Sequence, residues 1–208
     1  MDSKDHWENI YETKNSREVS WTQKVPEASL KLLLDLNLPK SAEIIDVGGG
    51  DSNLVDHLLE KGFTNITVLD ISEKAIQKAK DRLGTRAEMV KWIATDINKF
   101  EPKITYDVWH DRASFHFLTH QEELTRYKSI VAKYVSSYMV IATFSTNGPH
   151  KCSGLEVRRY SIEDMLFEFA ENYVITNCFY QDHLTPFGTS QNFVYACFKK
   201  SDLYASRL

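Results

Sequence analysis

Glu43-Ile44-Ile45-Asp46-Val47-Gly48-Gly49-Gly50-Asp51-Ser52 is the stretch that decides the fold. An apolar run of strand length ends in three glycines. A stripe of Leu54, Val55, Leu58 and Leu59 at helical spacing follows and stops at Gly62. A buried strand therefore turns sharply into a helix. Glycine allows such a turn and lets the backbone approach a ligand without a Cβ in the way. The helix beyond it offers unpaired N–H groups to an anion or carboxylate.

Working toward the C-terminus, strand and helix alternate. Ile66–Leu69 is a second strand that ends at Asp70, and Ser72 caps a helix with Ile76, Ala79 and Leu83 on one face and Gly84 as its stop. Val90–Ala94 is a third strand, ending at Thr95-Asp96, and Tyr106–His110 a fourth, ending at Asp111-Arg112. Thr119 and Glu122 have the spacing of a capping box for a helix carrying Leu124, Tyr127, Val131 and Tyr134. Met139–Phe144 is the fifth strand, and Ser145–Tyr160 reads as a polar loop. Ser161 starts a further helix. Tyr173–Phe179 and Phe193–Phe198 are then two β-rich runs with about a dozen polar residues and no helix between them. The expected architecture is α/β: a Rossmann-like, doubly wound, seven-stranded and mostly parallel sheet closed by a C-terminal antiparallel β-hairpin.

Toward the N-terminus, residues 4–14 read as a short amphipathic helix with Trp7, Ile10 and Tyr11 on one face, followed by a polar stretch and Trp21. Pro26 suits the first turn of a second helix that carries Leu30, Leu33, Leu34 and Leu36. The expected organisation is an N-terminal helical lid over residues 1–25 and one catalytic domain over 26–208.

Composition excludes several classes. With 42% hydrophobic and 26% charged residues the chain is neither disordered nor a disulfide scaffold. The net charge of -4 and the lack of a long basic run give no nucleic-acid footprint. No apolar run approaches the roughly 20 residues that span a bilayer, and the first dozen residues lack the apolar core of a signal peptide. The odd cysteine set, Cys152, Cys178 and Cys197, has no CxxC pair and fits reduced thiols in the cytoplasm. No histidine spacing resembles HExxH, so no metal is expected.

The chemistry lies at the carboxyl ends of the strands, where open α/β sheets bind ligands. Asp70 falls 20 residues after Gly50, a position from which an acidic side chain reaches ribose hydroxyls. Asp96, at the end of the third strand, is placed to accept from an exocyclic amine of adenine, with Ile71 and Ile97 on either face of the ring.

The order Asp46-x-Gly48-x-Gly50, then Asp70, then Asp96 resembles the class I S-adenosylmethionine-dependent methyltransferases over roughly residues 20 to 200. The resemblance implies S-adenosyl-L-methionine as cofactor. It assigns Asp46, Gly48 and Gly50 to the methionine part, Asp70 to the ribose and Asp96 to adenine, with Gly49, Asp51, Ser52, Ile71 and Ile97 as further cofactor-binding residues. Ser52 stands where that family has its third glycine; it is small enough for close approach. A narrower resemblance rests on His6-Trp7-Glu8, Glu18-Val19-Ser20-Trp21, Trp109-His110-Asp111-Arg112-Ala113 and His116-Phe117-Leu118. These look like a bacterial subgroup of small methyltransferases and are similar to thiopurine and thiol methyltransferases. There the N-terminal segment lies over the cofactor and the arginine faces the acceptor. A group of lysine methyltransferases begins comparably, so both a small-molecule and a protein acceptor stay open.

Methyl transfer from a sulfonium needs alignment above all, and a base only when the nucleophile arrives protonated. The candidates for the acceptor side are Asp111, beside the sulfonium or as base, His116 or His110 as base, and Arg112 as an anchor for an anionic acceptor. Trp21 packs on the cofactor or closes the site. Arg158 and Arg159 are further candidates for holding an anion, and Cys152 reads as incidental. Two other classes share part of this pattern. A nicotinamide oxidoreductase has the glycine turn and the ribose acid, but not the closing hairpin. A non-catalytic module would keep the cofactor pocket alone.

Overall fold

The computed structural model describes residues 3–201. Chain order gives α1 (Ser3–Thr13), α2 (Glu27–Asp35), β1 (Glu43–Val47), α3 (Leu54–Glu60), β2 (Asn65–Asp70), α4 (Glu73–Leu83), β3 (Val90–Ala94), β4 (Tyr106–Arg112), α5 (Gln121–Tyr134) and β5 (Val135–Phe144). Then come β6 (Lys151–Cys152), β7 (Leu155–Glu156), α6 (Ile162–Phe169), β8 (Tyr173–Leu184) and β9 (Ser190–Lys200). Short 3₁₀ turns precede β3 and follow β3 and β4.

The main sheet has seven strands in the order β3-β2-β1-β4-β5-β9-β8. Strands β1 to β5 pair in parallel, and β9 runs antiparallel to both β5 and β8. The strand order reverses between β1 and β4, which opens a crevice above their carboxyl ends. The expected α/β sheet and its closing hairpin are both present.

The pleat divides the core into two faces. Ile44, Val108 and Val140 belong to the layer shared with Leu33 of α2 and with Leu54 and Leu58 of α3. Ile45, Trp109 and Met139 belong to the opposite layer, with Tyr127 and Val131 of α5 and Phe169 of α6. Successive residues on a strand point to opposite faces. In β4 this puts His110 and Arg112 on the α2 side and Asp111 on the α5 side.

Several local expectations need correction. The N-cap of α5 is His120, not Thr119: the Glu123 carboxylate accepts the His120 backbone N–H at 3.2 Å. Pro26 precedes α2 as its N-cap instead of forming its first turn. The stretch from Ser145 to Tyr160 is not a plain loop, because β6 and β7 form a small antiparallel hairpin within it. The closing strands are longer than their apolar centres suggest, since β8 and β9 pair from Tyr173↔Lys200 to Leu184↔Ser190. Their polar ends are held by the ladder and not by burial, so hydrophobicity alone underestimates them.

Among the described residues no helix is long and apolar enough to cross a membrane. All three cysteines are unpaired.

Candidate active site

The crevice above β1, β2 and β4 is closed into a cavity of about 310 Å³. Gly48, at the end of β1, adopts a left-handed φ of +65°, and its N–H and that of Gly49 both donate to the Leu69 carbonyl of β2, at 2.8 and 3.2 Å. A Cβ on Gly48 would sit 2.6 Å from the Ser114 Cβ. A Cβ on Gly49 would sit 2.7 Å from Asp46 Oδ2, and one on Gly50 2.8 Å from Asp70 Oδ2. The glycines therefore leave room for the turn and keep one oxygen of each carboxylate uncovered.

Those oxygens suit a ligand that brings donors. Asp46 is 3% exposed; its Oδ1 lies 2.6 Å from His110 Nδ1, while Oδ2 has no hydrogen-bond partner among the described residues. Asp70 is also buried; its Oδ1 accepts the Ser72 N–H at 2.8 Å, and its Oδ2 has no such partner. Burial pushes the Asp70 carboxyl up to about 7, with Asp51, Asp46 and Glu8 adding repulsion and the Ser72 N–H opposing it. The Asp51 carboxyl is raised by burial and held back by Arg82 and Lys78. Asp96 accepts from Asn98 N–H through Oδ1 at 2.8 Å, while Ile71 and Ile97 line the same cavity. An amino group, a ribose diol and an adenine amine are donors that match these three acids. The residues present thus fit S-adenosylmethionine.

Outside the cavity, Arg82 braces the loop by donating to the carbonyls of Asp51 and Ser52, both at 2.7 Å. The Ser52 hydroxyl accepts the Leu54 N–H at 3.2 Å and so begins α3.

Helix α1 lies across the crevice. Its Glu8 carboxylate accepts from the Ser72 hydroxyl at 3.0 Å and from the backbone N–H groups of Glu73 and Lys74 at 2.8 and 3.2 Å. One side chain of α1 therefore satisfies the open N-terminus of α4. Lys74–Glu12 and Lys4–Glu73 ion pairs flank it. Trp7 and Tyr11 then face the cavity with Trp21. The Trp7 ring is 5.7 Å from that of Trp21 and 5.1 Å from that of Phe117. Sequence reading placed Trp7 and Tyr11 on one helix face without assigning them to the site; the i, i+4 aromatic pair was the available signal.

The acceptor-side candidates separate. Arg112 lines the cavity. Its Nη1 donates to the Trp21 carbonyl at 3.1 Å, its Nε to the Tyr195 hydroxyl at 3.2 Å, and its guanidinium lies 4.7 Å from the Phe193 ring centre. Its Nη2 is buried without a partner among the described residues.

Asp111 does not line the cavity, and this corrects the expectation that it sits beside the sulfonium. It is fully buried on the α5 face. Its carboxylate accepts from Ser114 N–H at 3.1 Å, Phe115 N–H at 2.9 Å and the Tyr127 hydroxyl at 2.9 Å. It holds the turn in which Ala113 takes the unusual φ of +65°. Burial lifts its carboxyl to about 6.

His116 is likewise fully buried and away from the cavity. Its Nδ1 accepts the Phe144 N–H at 3.4 Å, and its ring lies against Phe117 and Phe144. Burial and the nearby Arg112 lower it to about 3, so it is neutral near pH 7.

Arg158 pairs with the buried Glu168 at 2.8 Å, and Arg159 donates to the Thr146 carbonyl at 2.6 Å; both are taken up by structure. Cys152, read as incidental, in fact lines the cavity. Burial pushes its thiol up to about 11, so it is a neutral wall and not a thiolate. His110 also lines the cavity, locked between Asp46 and the Ser29 hydroxyl at 2.9 Å.

Comparison with known proteins agrees with this geometry. Residues 45–133 match the family model described as a methyltransferase domain. The chain is 28% identical over 125 residues to the eEF1A lysine and N-terminal methyltransferase of Mus musculus; the match covers 59% of this chain and 18% of that protein. It is 28% identical over 132 residues to malonyl-[acyl-carrier protein] O-methyltransferase 2 of Ilyobacter polytropus, covering 63% of this chain and 49% of that one. Among solved structures, a SAM-dependent methyltransferase from Anabaena variabilis superposes with a TM-score of 0.75 at 16% identity, covering 97% of this chain and 96% of the other. The N-methyltransferase NodS of Bradyrhizobium japonicum, solved with S-adenosyl-L-homocysteine, gives 0.73 at 15% identity, covering 97% of this chain and 100% of the other. Residues 45–133 thus match a methyltransferase domain, and the glycine turn and the three strand-end acids of that stretch border one cavity.

Proposed function

We propose that this chain transfers a methyl group from S-adenosylmethionine to a small anionic acceptor held by Arg112. The observation that carries this reading is the Arg112 guanidinium at the cavity wall, fixed by Trp21 and Tyr195 with Nη2 left unpartnered. A planar guanidinium pre-organised in this way suits a carboxylate or another compact anion.

The cofactor supplies a methyl group already activated on a positively charged sulfur. The protein's residues have to hold the donor, orient the acceptor and exclude water. In this reading Asp46, Asp51, Ser52 and the Gly48–Gly50 turn hold the methionine arm, Asp70 the ribose, and Asp96 the adenine amine with Ile71 and Ile97 on either face of the ring, while Trp21, Trp7 and Phe117 close the mouth. The N-terminal segment, residues 1–25, acts as the lid and 26–208 as the methyltransferase unit, a division supported by the Glu8 cap on α4. Asp111 and His116 are sealed from the cavity, so neither takes a proton from the acceptor. An acceptor whose reacting atom is already ionised, as a carboxylate is near neutral pH, needs no proton taken by these two residues. The unpaired cysteines suit a reducing, cytoplasmic setting.

A second reading, a protein lysine acceptor, draws on the mouse eEF1A relative. The Arg112 cation disfavours it, because a like charge works against an approaching ammonium. The test measures S-adenosylhomocysteine release with small thiols, small carboxylates and lysine-bearing proteins as acceptors. Turnover with a small anion is the expected result. Turnover with lysine substrates alone would sink the proposal.

A further inference from the structure

We infer that Ser29 and His110 form a hydrogen-bond relay that aims Asp46 at the amino group of the cofactor's methionine arm, making them positioning residues of the donor site. The inference rests on the donor-site reading above and extends it to residues on α2 and β4.

The three side chains form one buried line. Asp46, His110 and Ser29 are 3%, 2% and 1% exposed. Asp46 Oδ1 lies 2.6 Å from His110 Nδ1, and His110 Nε2 lies 2.9 Å from Ser29 Oγ. A carboxylate oxygen accepts, so Nδ1 carries the hydrogen toward Asp46. In the neutral ring Nε2 is then the acceptor, and the Ser29 hydroxyl donates to it. The relay runs from the Ser29 O–H through the ring to Asp46 Oδ1, and it fixes the tautomer as well as the ring plane.

This arrangement leaves one oxygen to explain. Oδ2 of Asp46 has no partner among the described residues, and Asp46 lines the cavity, so this oxygen is open to a ligand there. It faces Gly49, where a Cβ would come within 2.7 Å. The glycine keeps that approach open, and the cavity lies beyond it. A primary amine brings the matching donors. With Oδ1 tied to His110, the carboxylate cannot rotate its second oxygen away from the ligand. Without that tie, the terminal torsion of an aspartate is broad.

The test compares two probes in binding titrations with the full chain. S-Adenosylhomocysteine carries the amino-acid arm; 5′-methylthioadenosine is the same nucleoside thioether without it. Wild-type protein must bind S-adenosylhomocysteine, and failure there would remove the donor-site reading itself. Given that binding, His110→Phe is expected to weaken S-adenosylhomocysteine by about tenfold or more, and methylthioadenosine by less than about threefold. His110→Asn, whose amide nitrogen stands near the place of Nδ1, recovers most of the loss. Ser29→Ala shows the same selectivity at smaller amplitude, and keeps the test alive should His110→Phe not fold. Equal losses for both probes, or none for either, would overturn the relay and leave His110 as packing.

Discussion

Tyr127 donates its hydroxyl to Asp111 at 2.9 Å, on the face of β4 opposite to the one that carries Arg112. Adjacent residues in sequence thus serve different layers. Asp111 ties β4 to α5 and to the turn at Ala113, while Arg112 reaches the cavity. Asp111→Asn is therefore expected to act on stability. It removes a charged acceptor from three donors and costs about 1–3 kcal/mol. Tyr127→Phe is milder and leaves the two backbone donors satisfied. Denaturant unfolding and steady-state kinetics, run below the transition, check this. A large fall in kcat with unchanged stability would return Asp111 to the chemistry.

Arg112→Ala separates acceptor from donor. The loss falls on kcat/KM for the anionic acceptor, by about 1–3 kcal/mol. Cofactor affinity changes little, since no donor-site acid pairs with this guanidinium. Arg112→Lys keeps the charge but not the fork that binds Tyr195 and Trp21, and recovers only part of the rate. Titration of S-adenosylhomocysteine beside the acceptor kinetics makes the comparison. Lost cofactor binding with normal acceptor kinetics at saturating donor would place Arg112 in the donor site.

Asp70 gives the site a pH signature. Its folded carboxyl is pushed up to about 7 from an ordinary 3.8, so the folded chain keeps a proton that the unfolded chain has released. The stabilising contribution of that proton is full below the ordinary value and is lost as pH rises toward 7. Donation from ribose hydroxyls favours the ionised form, so binding displaces the proton and tightens as pH rises through the same range. Asp70→Asn flattens both trends and weakens binding by about 1 kcal/mol or more. Thermal unfolding without ligand and titrations with S-adenosylhomocysteine, each over roughly pH 5 to 8, measure them. Identical pH slopes in wild type and variant would remove Asp70 from the ribose site.

Glu8 offers a handle on the N-terminal segment. Glu8→Ala takes the cap from α4 and releases α1, at a cost of about 1 kcal/mol. Cleavage by trypsin between Lys14 and Lys24 should quicken, and saturating S-adenosylhomocysteine should slow it less than in wild type. Equal protection in both proteins would make the segment a passive tail.

That Asp46, Asp70 and Asp96 would gather at one cavity was legible in the sequence because each lies at the end of a strand. Asp46, Asp70 and Asp96 stand one strand–helix unit apart, and a parallel sheet brings such ends together whatever the loops do. The acceptor side depends on which way a side chain points. Parity could have shown it: Val108 and His110 share a face, and so do Trp109 and Asp111. Reading Asp111-Arg112 as a pair overlooked that alternation. Cys152 was out of reach for another reason. Its burial comes from a hairpin of only two residues per strand, between a polar run and Gly154, with too little apolar pattern to register. The Ser29–His110 contact joins residues 81 positions apart, and no local signal announces it.

The small hairpin of β6 and β7 also says how this protein can change. Its Cys152 reaches the cavity, and Tyr160 returns the chain to the sheet through the Phe144 carbonyl at 3.0 Å. The glycine turn and the three cavity acids, by contrast, come from β1, β2, β3 and the turns that follow them. A change in the length or lining of the Ser145–Tyr160 excursion can therefore reshape one wall of the cavity while leaving the glycine turn and the three acids in place. Evolvability of this kind is a property of where the chain leaves its sheet.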